Sequence, residues 1–444
     1  MKIADVALLG SVVLIPFQQA LTISVGFPLK LSEILAVLGV GLIALEARAR
    51  KRRNPAAPLL VLLGAFVLFS LVRAELTVES EAPPGYPLGL AVDGVVYSGY
   101  AALALALAYL LSIHMDIVRL ARAYMLGLRL AAGYSAVQLG LWFAGSDILR
   151  VVNGATQTGT LYGTSLPRNG PFLEGNYFGF FAAAGLFIAM YAKDRVGLVL
   201  SGVLVLYSQS SGATLGVVAG LLVLVAFRPQ VKTTSVVSFI VVVGIIAAAT
   251  IPAVALYAQR QLIKVGLSQN TLNESLGYSI RSRSANAETG FAMGLANPFL
   301  GVGPGRYGSR YFEYLDRTGL PAGFGQRAIR PIANNVYAHI AAELGLVALF
   351  VFGLMLLVLL LRSYRRSAPI FGLVVFVAVA MIAAPAWTGL PIWIVLAVIM
   401  AASSSERSHV PTGPIRVVTK ERGFRRSPTS AMGSLAYPGR PHQR

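Results

Sequence analysis

The stretch NNVYAHIAAELGLVALFVFGLMLLVLLL, residues 334–361, decides the fold class. Its second part is apolar for long enough to cross a bilayer as a helix, which takes about 20 residues. Its first part places His339 and Glu343 where the chain enters that apolar run, and polar groups are expensive there. The stretch therefore predicts a membrane helix with a polar site, functional or structural, at its mouth.

The composition of the whole chain agrees with a membrane protein. Of the 444 residues, 56% are hydrophobic and only 12% are charged, which excludes an ordinary soluble domain. The chain has no cysteine, so disulfides and thiolate metal sites are excluded. With four histidines and no HExxH motif, we expect no metal. The formal net charge of +19 is explained first by arginines in cytoplasmic loops, and we expect no nucleic-acid partner.

Hydropathy predicts an all-α, polytopic integral membrane protein with about twelve transmembrane helices and one large, late periplasmic loop. The predicted spans are 5–23, 29–47, 57–74, 94–113, 122–144, 171–192, 196–209, 212–228, 235–257, 336–361, 368–386 and 390–403. The predicted domains are a membrane bundle of about nine spans (1–257), a periplasmic cap with amphipathic helices (258–335), a three-helix membrane segment (336–403) and a tail (404–444).

The distribution of charge predicts the orientation. The linker ARARKRRN, 47–54, holds five Lys/Arg and no acid, which places it and both termini in the cytoplasm. The loop 258–335 is then periplasmic despite its many arginines, because long loops translocate regardless of charge. Those arginines predict either an anionic ligand or contact with acidic lipid head groups. The basic tail 404–444 is predicted to be disordered and solvated rather than bound to lipid.

The first polar cluster is YGTSLPRNGPFLEGNYFG, residues 162–179. Arg168 sits at the predicted membrane edge, and Glu174 and Asn176 enter the span that follows. Ionisable residues in a bilayer usually line a cavity or pair with one another. Arg168 therefore either helps to hold a charged substrate or pairs with Glu174.

The second polar cluster is RSRSANAETGFAMGLANPFLGVGPGRYG, residues 281–308. The stretch 282–296 predicts an amphipathic helix that begins with Arg281 and Arg283. Its predicted apolar side consists of Ala285, Phe291, Ala292 and Leu295. The Gly- and Pro-rich turn that follows lacks the phosphate-loop pattern, so we interpret it as a structural turn.

The third polar cluster lies at the start of the opening stretch. Asn334 or Asn335 is a suitable N-cap for the helix. Asn335, His339 and Glu343 are four residues apart and therefore share one helix face. This face is either a polar stripe along a cavity wall or a buried His–Glu pair that holds helices together.

In this order, the three clusters resemble the O-antigen ligase and O-antigen polymerase superfamily of bacterial envelope glycosyltransferases. The family's arginine-led helix and P-x-x-G-x-G-x-G turn correspond to Arg281, Arg283, Pro298, Gly301, Gly303 and Gly305. Its His-Asn-x-Tyr-Leu-x4-Glu-x-Gly helix start corresponds to Asn334, Asn335, Tyr337, Glu343 and Gly345. A looser middle motif corresponds to Arg168, Gly170 and Asn176. The SSGA at 210–213 resembles a Ser-Arg-Gly stretch that has lost its arginine. The resemblance covers about 160–400.

The resemblance implies a membrane glycosyltransferase in the synthesis of lipopolysaccharide, exopolysaccharide or a related envelope polysaccharide. Its donor is a glycan on undecaprenyl pyrophosphate, and its acceptor is a hydroxyl of a glycan or lipid at the periplasmic face of the cytoplasmic membrane. The lipid-linked glycan is a substrate, and no cofactor is implied. Membrane lipid and envelope polysaccharide assembly proteins are the other implied partners. Arginines aimed at the pyrophosphate would stabilise its developing charge.

One departure from the family bears on the reaction. Asn334 stands where the ligases carry histidine, the family's candidate general base, and asparagine cannot take a proton near neutral pH. His339 is about 7.5 Å deeper and some 140° around the helix, so it cannot occupy the same place. The sequence therefore favours a polymerase-like enzyme over a ligase.

The resemblance and the three clusters together predict the site. Catalytic roles are assigned to Arg168, Arg281, Arg283 and Asn334. Substrate-binding roles are assigned to Glu174, Asn176, Arg306, Arg327, Arg330, Asn335, Tyr337, His339 and Glu343. The alternative function is a transporter or flippase of a lipid-linked or anionic solute, whose polar groups would follow a path through the membrane. A catalytically silent membrane scaffold is a further alternative.

Overall fold

Helices form most of the fold. The computed structural model describes residues 2–18, 22–24, 28–46, 54–77, 89–146, 148–149, 156–161, 164–227, 259, 263, 274–316 and 330–404. The helices in this part of the chain are α1 (Ile3–Leu14), α2 (Leu31–Leu45), α3 (Ala57–Leu76), α4 (Leu90–His114), α5 (Ile117–Phe143), α6 (Gly175–Ala192), α7 (Arg195–Ser208), α8 (Ser211–Phe227), α9 (Glu274–Ala296), α10 (Tyr307–Tyr314), α11 (Val336–Leu344), α12 (Leu346–Arg366), α13 (Ala368–Ala380) and α14 (Leu390–Ser404). A short 3₁₀ turn, Met381–Ala383, follows α13.

Two small antiparallel hairpins accompany the helices. Strand β1 (Thr22–Ser24) pairs with β2 (Pro28–Lys30), and β3 (Thr158–Leu161) pairs with β4 (Thr164–Pro167). The second hairpin leads directly into the turn before α6 and so helps to position the first polar cluster. The prediction of a helical membrane protein is confirmed, with these two hairpins as a minor addition.

Four described helices are long and apolar enough to cross a membrane: α3, α4, α6 and α12. Six shorter apolar helices of 10–17 residues accompany them, namely α1, α2, α7, α8, α14 and α13 with its 3₁₀ turn. The predicted number of about twelve spans is therefore not confirmed. The six helices are shorter than the roughly 20 residues that a span takes, and α5 is long enough but not apolar enough. The predicted span 235–257 lies outside the described residues.

The predicted span 336–361 is two helices rather than one. α11 ends at Leu344, and α12 begins at Leu346 after Gly345, which has φ 91° and ψ 169°. This conformation is essentially restricted to glycine. The turn 297–305 fills the break: Val302 N–H donates to the Ala342 carbonyl at 2.7 Å, and Gly303 N–H donates to the Glu343 carbonyl at 3.1 Å. The turn thus satisfies carbonyls at the end of α11.

Helix α9 is longer than the predicted 282–296, and its predicted apolar side is only partly right. Ala285 is buried, but Phe291 and Leu295 are 37% and 70% exposed. The face that packs on α11 instead carries small residues. A Cβ on Gly290 would lie 2.9 Å from the Ala338 carbonyl oxygen. Small residues allow this close approach of two backbones, as is common between membrane helices.

The core centres on α14. This helix is buried along almost its whole length and packs against α4, α12 and α13. A helix that is hydrophobic all round belongs in such an interior. Buried polar groups also bond between helices: Asn54, which precedes α3, donates to Ser112 Oγ near the end of α4 at 2.6 Å.

Ion pairs join the 297–335 segment to the ends of α3 and α4. Arg306 pairs with Glu75 at 3.0 Å, and Arg330 donates to both oxygens of Asp93 at 2.7 and 2.6 Å. Glu75 lies in the last turn of α3 and Asp93 in the first turn of α4, so Arg306 and Arg330 lie at the end of the bundle where α3 ends and α4 begins. Part of the arginine excess in 258–335 is therefore balanced by acids from elsewhere in the chain.

Candidate functional site

The turn that carries Arg168 is built around Gln157 and Asn169. Gln157 Oε1 accepts from Arg168 Nε at 3.2 Å and from the Gly175 N–H at 2.7 Å. This amide therefore ties the β3–β4 hairpin to the first residue of α6. Asn169 is fully buried, accepts from the Gln157 N–H at 3.2 Å and donates to the Phe172 carbonyl at 2.8 Å. These hydrogen bonds hold the Arg168 side chain in a defined position next to the start of α6.

Glu174 lies within electrostatic range of both Arg168 and Arg283. Burial raises the pKa of the Glu174 carboxyl above its usual value, while the positive charges of Arg283 and Arg168 act in the opposite direction. Burial lowers the pKa of the Arg283 guanidinium, and Glu174 opposes that shift. The charges of two guanidiniums more than a hundred residues apart in sequence thus act on one half-buried carboxyl. We call Arg168, Glu174 and Arg283 the arginine site.

The arginine site has a net charge of about +1, because two guanidiniums face one carboxylate. Guanidinium groups bind phosphate through charge-assisted, bidentate hydrogen bonds, and partial burial strengthens such bonds by lowering the local dielectric. The site is therefore chemically suited to an anion such as a pyrophosphate. Asn176 lies beside it in the first turn of α6 and is half-buried, whereas Arg281 is exposed on α9.

The two asparagine side chains at the start of α11 form hydrogen bonds with backbone groups. Asn335 is the N-cap, and its side chain accepts from the N–H groups of Tyr337 and Ala338 at 3.0 and 3.1 Å. Asn334 adopts a left-handed conformation with φ 54° and donates to the Ile332 carbonyl at 3.3 Å. The Tyr337 hydroxyl donates to the Ala378 carbonyl at 2.6 Å, toward α13. Asn335 therefore turns back onto the helix end and does not extend the polar stripe.

His339 and Glu343 form a buried pair. His339 Nε2 lies 3.2 Å from Glu343 Oε1, and the two residues are 3% and 1% exposed. The same histidine nitrogen lies 3.3 Å from the Tyr97 hydroxyl. Glu343 also accepts from Trp387 Nε1 at 2.9 Å and from the Gly305 N–H at 3.0 Å. Of the two interpretations left open by the sequence, this geometry matches a pair that holds helices together.

The remaining predicted arginines lie apart from the arginine site or outside the described residues. Arg306 is 4% exposed and paired with Glu75, and Arg330 is paired with Asp93. Arg330 also donates to the Gly305 carbonyl at 3.2 Å, so it supports the turn. Arg327 lies outside the described residues. Several backbone N–H groups of the turn 297–305 donate hydrogen bonds to residues of α11, which agrees with its interpretation as a structural turn.

Sequence reasoning missed three groups that organise this region. Gln157 gave no motif signal. Tyr97 lies in an apolar span and was not predicted as part of the site. Its hydroxyl is a polar group within that span, and this could have indicated a buried hydrogen-bond partner. Gly290 and Gly294 form a GxxxG pattern, which predicts close helix packing and identifies the buried face of α9. Among the described residues, no group of three or more His, Asp or Glu is placed to hold a metal ion.

Comparison with known proteins finds a family for the middle of the chain. Residues 196–353 match the family model described as O-antigen ligase. The matched region runs from α7 into α12, so it contains Arg283 and Asn334 but begins after Arg168 and Glu174. The match confirms the superfamily resemblance predicted from the motifs. No curated protein sequence matched the chain.

Proposed function

We propose that this chain, as an O-antigen ligase and polymerase superfamily protein, transfers a glycan from an undecaprenyl-pyrophosphate carrier to an acceptor hydroxyl. The reaction takes place at the outer face of the cytoplasmic membrane, with both chain termini in the cytoplasm. The observation that carries the proposal is that the charges of Arg168 and Arg283 both act on the half-buried Glu174 carboxyl. A family match that includes Arg283 supports it.

The arginine site supplies the electrostatic part of the mechanism. The acceptor oxygen attacks the anomeric carbon of the donor sugar, the bond from that carbon to the pyrophosphate oxygen breaks, and the acceptor loses its proton. Negative charge grows on the departing pyrophosphate, and fixed guanidiniums stabilise it more than they stabilise the bound donor. Gln157 holds the Arg168 guanidinium before the donor arrives, and the charge of Glu174 attracts both guanidiniums, so little reorganisation is needed during the reaction.

The region around Asn334 favours polymerase-like transfer over ligation. Asn334 cannot act as a base near neutral pH. His339 is 3% exposed and engaged with Glu343 and Tyr97, which leaves it poorly placed to accept a proton from an incoming hydroxyl. We therefore propose that Asn334 hydrogen-bonds a sugar and that the acceptor proton leaves to solvent or to the pyrophosphate.

Transport of a lipid-linked solute is the competing function. A transporter would distribute its charged groups along a path across the bilayer. Here Glu174, on which the charges of Arg168 and Arg283 act, immediately precedes the first residue of α6, at the start of a candidate span rather than along it. This placement supports transfer over transport.

The envelope glycans of a deletion strain test the proposed function. Single-unit glycan caps would indicate a lost polymerase, accumulated lipid-linked polymer would indicate a lost ligase, and an unchanged profile would refute both. The strain is complemented with the wild-type gene, with Arg168→Gln and with Arg283→Gln. Arg365→Gln is the matched control, since Arg365 is exposed in the last turn of α12. We expect only the wild-type gene and the control to restore the profile.

A further inference from the structure

A small polar cavity lies between the end of α3, the turn 297–305 and α10. Its volume is about 80 Å³. The polar side chains that line it are Arg73, Thr77, Asn297, Arg310 and Tyr314. This lining combines two guanidiniums, two hydroxyls and an amide, and none of the lining residues is an acid. It shares no residue with the arginine site.

Hydrogen bonds hold part of this lining in place. Arg73 donates to the Gly301 carbonyl and, at 3.0 Å, to Asn297 Oδ1. Asn297 Nδ2 in turn donates to the Tyr314 hydroxyl at 3.3 Å. Because that hydroxyl oxygen accepts from the amide, its own proton is available to donate to a bound group. Thr77 Oγ1 donates to the Ala74 carbonyl at 2.9 Å, so the lining groups that can donate to a bound group are the Tyr314 hydroxyl and the guanidiniums.

The charge of the cavity favours an anion. Arg310 pairs with Glu313 at 2.9 Å in a largely exposed pair, which balances one of the two guanidiniums. The two hydrogen bonds of Arg73 described above go to neutral oxygens. The lining together with Glu313 thus has a net charge of about +1. Guanidinium and hydroxyl donors around a small volume match the oxygens of a phosphate group.

Exposed apolar side chains lie close in sequence to residues that line the cavity. Arg73 lies in the last turn of α3, a candidate membrane span, next to Leu76, which is 77% exposed. On the other side, Leu295 and Phe299 are 70% and 73% exposed. Exposed apolar side chains beside a cationic pocket, at the end of a span, match an amphiphile with a charged head group and acyl chains.

We propose that this cavity binds the phosphate group of an anionic membrane phospholipid. The head group sits between Arg73, Arg310 and Tyr314, and the acyl chains lie along Leu76 and Phe299. A bound lipid here would brace α3 against the turn 297–305. The site is separate from the arginine site, and the proposal does not depend on the proposed function.

Binding to the purified protein in detergent tests the proposal. The probes are dioctanoyl phosphatidylglycerol, zwitterionic dioctanoyl phosphatidylcholine and inorganic phosphate, titrated by a direct method such as native mass spectrometry. We expect saturable binding of phosphatidylglycerol. Arg73→Gln and Arg310→Gln should each weaken it about tenfold or more, the usual effect of losing a charge-assisted hydrogen bond. Arg365→Gln, on an exposed arginine at the end of α12, should bind as the wild type does.

The other outcomes also decide the question. Arg73→Gln removes two internal hydrogen bonds, so if it fails to fold, Arg310→Gln and Tyr314→Phe carry the test. If inorganic phosphate binds as tightly as phosphatidylglycerol and loses affinity in the same variants, the pocket takes phosphate but the lipid source is wrong. Equal binding of both lipids, or unchanged affinity in the variants, would overturn the proposal.

Discussion

Substitution of alanine for Gly345 should destabilise the protein through two separate effects. The backbone there has φ 91° and ψ 169°, a region essentially restricted to glycine, and a residue with a Cβ atom pays about 1–3 kcal/mol to occupy it. The new Cβ would also lie 2.6 Å from the Pro298 carbonyl oxygen and 2.7 Å from the Phe299 carbonyl carbon. These are backbone atoms that cannot rotate away, and such overpacking costs about 1–3 kcal/mol.

The two effects together predict a loss of about 2–6 kcal/mol in the free energy of unfolding. Such a loss is a large fraction of the stability of most proteins. The assay is thermal or denaturant unfolding of the purified protein in detergent, followed by a signal from the native fold. Gly353→Ala is the matched control, because Gly353 lies in α12 and a Cβ there would meet nothing within 4 Å.

We expect Gly353→Ala to unfold like the wild type or slightly later, since alanine is the better helix former. Gly345→Ala should unfold well before it. If the two variants unfold together, the turn 297–305 does not sit in the break between α11 and α12 as tightly as described, and the reasoning fails.

Three further predictions concern stability and pH. Glu343→Ala should cost about 3–5 kcal/mol in denaturant unfolding, because buried donors lose their acceptor. Gly294→Leu should cost about 1–3 kcal/mol or more, measured in the same way, since even a Cβ there would lie 2.8 Å from the Ala341 carbonyl oxygen. Burial raises the pKa of Glu174, so the folded state holds this proton more tightly than the unfolded state. As pH rises from about 4.5 through the raised pKa, wild-type stability should fall relative to Glu174→Gln.

Controls for these predictions come from exposed positions. Glu313→Ala removes an exposed carboxylate and should change stability little. If Glu343→Ala lowers the free energy of unfolding no more than Glu313→Ala does, the buried hydrogen bonds of Glu343 do not stabilise the fold as described. Ala296→Leu, on the exposed end of α9, should be tolerated, and a cost equal to that of Gly294→Leu would argue against close packing of α9 on α11. Parallel pH dependences for the wild type and Glu174→Gln would show that the Glu174 carboxyl titrates normally.

The sequence predicted the helical elements well because hydropathy reports apolar length directly. The predicted spans 57–74 and 94–113 correspond to Ala57–Leu76 and Leu90–His114. The predicted span likewise began at residue 336, as α11 does, and of the two candidate caps, Asn334 and Asn335, the structure has Asn335. Gly345 was missed as a helix break, because a glycine inside an apolar run is usually tolerated in a membrane helix.

The packing faces and charge partners were harder to predict. Apolar periodicity assumes that large hydrophobic residues turn inward, whereas Phe291 and Leu295 face outward on α9 and glycines pack inward. The carboxylates that pair with Arg306 and Arg330 are more than two hundred residues away in sequence, so only the tertiary fold identifies them. The effect of the Arg168 and Arg283 charges on Glu174 depends on the fold in the same way.

The central claim is that the arginine site stabilises a departing pyrophosphate, and a reconstituted transfer reaction tests it most directly. The purified protein in liposomes is given a glycan on undecaprenyl pyrophosphate, and the single-turnover rate of transfer is measured. Arg283→Gln should lower this rate about 10²–10³-fold, the usual effect of removing one transition-state donor, with donor binding reduced less. Arg365→Gln should leave the rate unchanged. Transfer by Arg283→Gln at the wild-type rate would contradict the account.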